Sequence, residues 1–232
     1  MTTLLIATRN AHKIAEIRAI LGSGFQCLTL NEFPGAPGVV EDADTFAGNA
    51  TKKAVELAKW LTGKHSTFNI EHPTPSFVLA DDSGLEVDAL GGAPGVHSAR
   101  FAGSADGSSA SSTENSPDTD NNAKLLRLLK EVPLEKRTAR FRCVIAVVPV
   151  PWGKVEIASP ICFADEFEPQ LFHGTCEGKI LFAPRGKNGF GYDPLFGPDG
   201  FTQTFAELGD DVKNKLSHRA KALAKLRGFF LE

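Results

Sequence analysis

The sequence has no C-x-x-C pair. Its four cysteines, Cys27, Cys143, Cys162 and Cys176, are scattered along the chain. That spacing supports neither a zinc site nor a disulfide framework, and reduced, mostly buried thiols in a cytoplasmic protein are expected. Long apolar runs are also missing. The longest, Cys143 to Val148, falls far short of the roughly 18–20 residues that cross a bilayer as a helix, so no membrane association is expected. The run Leu4-Leu5-Ile6-Ala7 is too short for a secretion-signal core, and no basic residue precedes it. An excess of either charge is absent too. The 25 Lys+Arg against 28 Asp+Glu give a formal charge of −3, so no nucleic-acid partner is expected. A small polyanion remains open as a ligand, because a site needs only a few local cations. Finally, there is no internal repeat and no Walker A loop.

What is present fits a globular enzyme-sized chain. The 232 residues are 42% hydrophobic and 23% charged, with 22 Gly and 14 Pro. This excludes a collagen, a coiled coil and a chain disordered throughout. Thr3 to Ala7 reads as a buried strand, followed by a helix capped at Asn10 with Ile14, Ile17, Ile20 and Leu21 at helical spacing. Phe25 to Leu30 is a second strand. Asp44 or Thr45 opens a helix to about Leu61, with Phe46, Ala50, Ala54, Leu57 and Leu61 on its apolar face. Gly63 to Ser76 reads as a loop and Phe77 to Ala80 as a strand. Residues 104–122 hold no large apolar side chain and read as a flexible insertion. A helix from about Asn122 to Glu131 follows. Strands are expected over Arg140 to Val150, Lys154 to Phe163 and Glu177 to Phe182, and a last helix over about Asp211 to Arg227. Early β-α-β pieces followed by longer strands point to an α/β protein with a mixed sheet.

Five segments carry residues suited to chemistry. Thr8-Arg9-Asn10-Ala11-His12-Lys13 lies at a strand-to-helix junction, where backbone N–H groups and the helix dipole favour an anion. An ordinary capped helix start is the alternative. Glu41 to Thr45, with Asn49 and Lys53 one helical turn apart, combines carboxylates with a cation. Those acids either complement the helix dipole or hold a metal beside a phosphate-binding lysine. Asp81-Asp82-Ser83-Gly84 follows an apolar strand, and carboxylates at a strand end are either a turn or a site for Mg²⁺ and proton transfer. Gly189-Phe190-Gly191-Tyr192-Asp193-Pro194 is either a Gly/Pro turn or a close backbone approach with flat aromatic faces for a base. Lys213 to Arg219 is either a solvated helix face or a group of donors for a purine edge or phosphate.

Taken in order, these segments and the stretch Gly91-Gly92-Ala93-Pro94-Gly95-Val96 through Ser98-Ala99-Arg100-Phe101 resemble the inosine triphosphate pyrophosphatase family, the XTP/dITP pyrophosphatases. The resemblance spans nearly the whole chain. It implies an α/β fold with an elongated mixed β-sheet flanked by helices, two lobes and a central nucleotide-binding cleft. Residues 1–232 would then form a single two-lobed domain, and the chain a homodimer. It implies Mg²⁺-dependent hydrolysis of non-standard purine nucleoside triphosphates to the monophosphate and pyrophosphate. By position, Thr8, Arg9, Asn10, Ala11, His12, Lys13 and Lys53 would hold the triphosphate, and Glu41 and Asp82 would bind Mg²⁺. Asp82 would be the general base. Ser83, Phe190, Gly191, Tyr192, Asp193, Lys213, His218 and Arg219 would contact the nucleotide. Arg9 stands where many members of that family carry Gly. A Maf-like pyrophosphatase acting on modified or pyrimidine nucleotides is the alternative enzyme, and a non-catalytic nucleotide- or RNA-binding module the alternative class. Glu41 and Asp82 argue against the second, since without metal they repel a polyanion.

Overall fold

The structure, a computed structural model, describes residues 1–64, 74–103, 115–151 and 167–231. The strand expected over Lys154 to Phe163, Cys162, and the greater parts of the Gly63–Ser76 loop and the 104–122 insertion lie outside the described residues. Among the described residues six strands are hydrogen-bonded in the order β2-β1-β3-β4-β5-β6: β1 Thr2–Ile6, β2 Phe25–Thr29, β3 Phe77–Val87, β4 Thr138–Pro149, β5 Gln170–Ile180 and β6 Phe196–Pro198. β1 runs parallel to both β2 and β3, whereas β5 and β6 are antiparallel, so the sheet is mixed. Helices α1 Ala11–Leu21, α2 Phe46–Lys64, α3 Asp118–Leu128, α4 Phe205–Leu208, α5 Asp210–Leu216 and α6 His218–Leu231 complete the α/β fold.

The chain divides into two compact units. The first comprises Met1–Asp82, Val144–Phe172 and Leu223–Glu232, the second Ser83–Cys143 and His173–Ala222. In the first unit, α1 begins where the Asn10 side chain accepts from the backbone N–H of His12 and Lys13, and stops at Gly22 in a positive-φ conformation. α2 buries Phe46, Ala50, Ala54, Leu57, Ala58 and Leu61, the stripe its sequence spacing predicts. Phe230 of α6 meets Phe25 and Phe77 edge-on. In the second unit the core joins Leu85, Val87, Phe101, Leu125, Leu129, Phe141, Ile180, Tyr192 and Phe196, among others.

Several elements differ from expectation. β5, expected from Glu177, begins at Gln170, and β6 and α4 have no counterpart among the expected elements. β3 does not end at Ala80 but continues to Val87. Asp81 and Asp82 stay inside it because lysines meet their carboxylates, as described below. The helix expected from Asn122 starts at Asp118, so residues 118–122 are not part of a flexible insertion. Asp118 and Asp120 lie in its first turn, where acids complement the dipole, and Asn121 and Asn122 are buried through tertiary hydrogen bonds. The last helix is broken at Ser217, whose ψ of 163° is extended. Its Oγ then accepts from Ala220 N at 3.2 Å and caps α6.

Candidate active site

The first unit gathers three carboxylates and two ammonium groups. Consecutive side chains in a strand point to opposite faces, so continuing β3 past the acid pair sends Asp81 and Asp82 apart. Asp81, with no exposed side-chain surface, meets Lys13 of α1 at 2.5 Å. Asp82 Oδ1 lies 3.6 Å from Lys53 Nζ of α2. The same ammonium reaches Glu41 Oε1 at 3.1 Å and donates to the Asp81 carbonyl at 2.7 Å. The pair therefore lies within the strand and not at the strand end where its sequence position put it. Each carboxylate has its own lysine, from a different helix.

Asp82 sits where its charge is disfavoured. Burial, opposed by Lys53 and Lys13 and reinforced by Glu41 and Asp81, pushes its carboxyl up to about 6. Its Oδ2 is buried and has no hydrogen-bond partner among the described residues. Three acids against two lysines leave a local deficit of positive charge, which a cation would fill. Mg²⁺ takes one or two carboxylates and completes its shell with phosphate oxygens and water. Glu41 and Asp82 fit that donor set. Among the described residues no group of three or more His, Cys, Asp or Glu could hold a metal by itself.

The segment bearing Glu41 is held by a residue whose sequence signal was only its helix face. Asn49, almost wholly buried, accepts from Ala43 N at 2.9 Å through Oδ1. Gly48 makes room for the approach, since a Cβ there would lie 2.8 Å from the Ala43 Cβ. At the start of α1 the outcome is mixed. Two of the N–H groups read as free for an anion, those of His12 and Lys13, are taken by Asn10 Oδ1 at 3.0 and 3.1 Å. Thr8 Oγ1 accepts from Asn10 N at 3.2 Å. Arg9 turns to the Ala36 carbonyl at 3.2 Å and keeps an ordinary backbone conformation, so no glycine is required there. Ala11 and His12 are exposed.

In the second unit the glycine-rich motif and the segment around Ser217 form one cluster. Asp193 Oδ2 accepts from Phe190 N at 2.8 Å and from Lys213 Nζ at 2.5 Å. Gly189 is obligatory: its φ is +76°, and a Cβ would lie 2.2 Å from Asp193 Oδ2. The half-buried Phe190 ring has Lys213 Nζ at 4.6 Å and the Arg219 guanidinium at 6.0 Å from its centroid. Arg219 also donates to Ser83 Oγ at 2.8 Å. His218 stacks on Phe141 at 4.8 Å, nearly parallel. Lys213, His218 and Arg219 are all deeply buried, which removes the alternative of a solvated helix face. Tyr192 is placed differently from expectation. Its ring belongs to the core and its hydroxyl donates to the Ser98 carbonyl at 2.9 Å, so it offers no open face to a base.

One further residue was missed in the sequence. At Gly174 of β5 a Cβ would lie 1.9 Å from the His218 carbonyl oxygen and 2.6 Å from Ala222 N. The glycine lets α6 seat directly on the strand and so fixes the start of the helix that carries His218 and Arg219. A glycine inside a strand pattern is the available signal for such a close approach.

Compared with known proteins, the chain matches the model of the Ham1 family over residues 4–229. The chain belongs to the Ham1 family. The motif resemblance is thereby borne out. A protein of Desulforamulus reducens described as dITP/XTP pyrophosphatase is 47% identical over 223 residues, covering 96% of this chain and 92% of the relative. One of Geobacter sulfurreducens with the same description is 46% identical, covering 98% and 96%. Among solved structures, a HAM1 protein from Coxiella burnetii shares the fold with a TM-score of 0.76 at 34% identity, covering 100% of this chain and 99% of that one. The α/β fold with a mixed sheet is thus the fold of a Ham1 protein.

Proposed function

We propose that the protein hydrolyses non-standard purine nucleoside triphosphates (dITP, ITP, XTP, dXTP) to the monophosphate and pyrophosphate, with Mg²⁺. The observation that carries this reading is the buried, unpartnered oxygen of Asp82 beside Glu41 and Lys53. Ham1 relatives described as dITP/XTP pyrophosphatases support the substrate class. Mg²⁺ held by Glu41 and Asp82 would supply neutralisation of charge on the phosphoryl oxygens. Asp82 would accept a proton from the attacking water; burial holds its carboxyl at about 6 only without a metal, and a bound cation would lower it. Lys53 and Lys13 would stabilise the departing pyrophosphate, Lys13 sharing its ammonium with Asp81. In the second unit, Arg219 and His218 supply donors suited to a purine O6, with Phe190 as the aromatic face. Adenine carries a donor at that position and would be left badly paired.

The homodimer rests on the family resemblance, and a cytoplasmic location on the scattered cysteines. The described residues contain no helix long and apolar enough to cross a membrane. The deciding experiment is pyrophosphate release from ITP, XTP, ATP, GTP and a pyrimidine triphosphate, with and without Mg²⁺. Preference for ITP or XTP by about 100-fold or more in kcat/KM is expected. Equal values across the purines would defeat the selectivity claim, and turnover confined to pyrimidines would favour the Maf-like alternative. Asp82→Asn with the wild-type rate at saturating Mg²⁺ would remove Asp82 from the chemistry.

A further inference from the structure

Helix α3 braces two motif segments of the second unit at once. On one side, Asn121 accepts from Ala102 N at 2.7 Å and donates to the Ala99 carbonyl at 3.3 Å, and Lys124 donates to the Phe101 carbonyl at 2.9 Å. On the other side, two residues one turn apart hold a single glycine. Gly191 N donates to Asp118 Oδ2 at 2.6 Å, and Asn122 Nδ2 donates to the Gly191 carbonyl at 3.0 Å. These are the two peptide planes that follow Phe190. The amide of Phe190 is already held by Asp193, so every peptide plane around this aromatic residue has an assigned partner. Gly191 itself has a φ of +62°, a conformation that glycine does not favour strongly over its mirror image and that a clamp can select.

We propose that Asp118 and Asn122 are positioning residues for base recognition. By fixing both backbone groups of Gly191 they hold the Phe190 ring beside Lys213 and Arg219. They do not touch the nucleotide. The inference rests on the proposed function, and it assigns a role to residues whose sequence read as part of a flexible insertion.

The test compares Asp118→Ala and Asn122→Ala with two controls. Asp118→Asn keeps an acceptor for Gly191 N. Asp120→Ala removes another first-turn acid of α3, and so reports the helix-dipole contribution alone. Loss of either clamp is expected to raise KM for ITP about tenfold and to shrink the ITP-to-ATP ratio of kcat/KM about as much, with kcat nearly unchanged, the pattern of lost binding rather than lost chemistry. Amide hydrogen exchange across residues 186–194 should quicken by a similar factor. Both controls should stay close to wild type. Unchanged exchange in both clamp variants overturns the clamp. Faster exchange with unchanged KM and selectivity overturns its role in base recognition. A wild type that releases no pyrophosphate from ITP overturns the functional reading, while the exchange comparison still decides the clamp.

Discussion

The unpartnered oxygen of Asp82 makes a prediction about stability that is separate from catalysis. A carboxyl whose ordinary value is 3.8 and which burial pushes to about 6 in the folded protein corresponds to roughly 3 kcal/mol between its two protonation states. The folded state binds the extra proton between those values, so the associated stability is present below about pH 4 and lost as pH rises through about 6. Asp82→Asn resembles the protonated acid in shape and charge and carries no such slope. In the presence of a chelator, wild type should therefore lose stability relative to Asp82→Asn as pH rises. The difference should reach roughly 1 kcal/mol between pH 5 and pH 8 and approach roughly 3 kcal/mol if the range extends well below pH 4. Urea unfolding of both proteins at each pH measures it, and titrating groups that do not interact with Asp82 cancel in the comparison. At pH 8 the variant should be the more stable protein while turning over substrate poorly. Added Mg²⁺ should then stabilise wild type and leave the variant unmoved. Parallel stability curves, differing by the same amount at pH 5 and pH 8, would refute the claim that Asp82 is held in an environment hostile to its charge.

Other predictions follow from packing. Gly174→Ala places a methyl group against the His218 carbonyl and should cost at least ~2 kcal/mol by urea unfolding, together with most of the ITP turnover; a neutral outcome would show that α6 does not depend on this approach. The segments that flank residues 104–114 are joined, because Ser116 N donates to the Ala99 carbonyl at 3.0 Å and Gly103 N to Ser116 Oγ at 3.1 Å. Replacing 104–114 by a linker of about three residues should change stability by less than ~1 kcal/mol, and loss of the folded state in circular dichroism would contradict this. Burial pushes the Cys176 thiol up to about 11, so it should resist alkylation at pH 8 until the protein unfolds. Mass spectrometric detection of the modified peptide from native protein would disprove that.

The sequence announced the fold where its signals were local. Asn10, the Ile17 and Leu21 pair and the Phe46-to-Leu61 stripe encode helices through capping and apolar period, and the structure has them. It misled where tertiary partners override local tendency. Asp81 and Asp82 look like a strand end only until Lys13 and Lys53 are brought to them from helices far away in the chain. Residues 118–122 look disordered because they are polar, yet a helix that braces two other segments must be polar on its bracing sides. Lys213 to Arg219 reads as one continuous helix because no glycine or proline interrupts it, and the break at Ser217 comes from a single hydroxyl. The site residues were legible as motifs, because several in order resemble one family. Their internal roles, such as Asp193 holding both Phe190 and Lys213, are long-range contacts that no spacing reveals.

The alternation of Asp81 and Asp82 across β3 also governs what kind of sequence change the enzyme can absorb. Side-chain direction in a strand is a parity, odd or even, counted from wherever the strand is anchored. β1 anchors it at Phe77, Val78 and Leu79, opposite Leu4, Leu5 and Ile6. Removing one residue between Leu79 and Asp81 would flip the parity. Asp82 would then point at the Lys13 side and Asp81 would vanish from it. Many substitutions nearby would leave that count intact, while the smallest change in length would not. The strand thus protects the chemistry against exchange of letters far better than against loss of one.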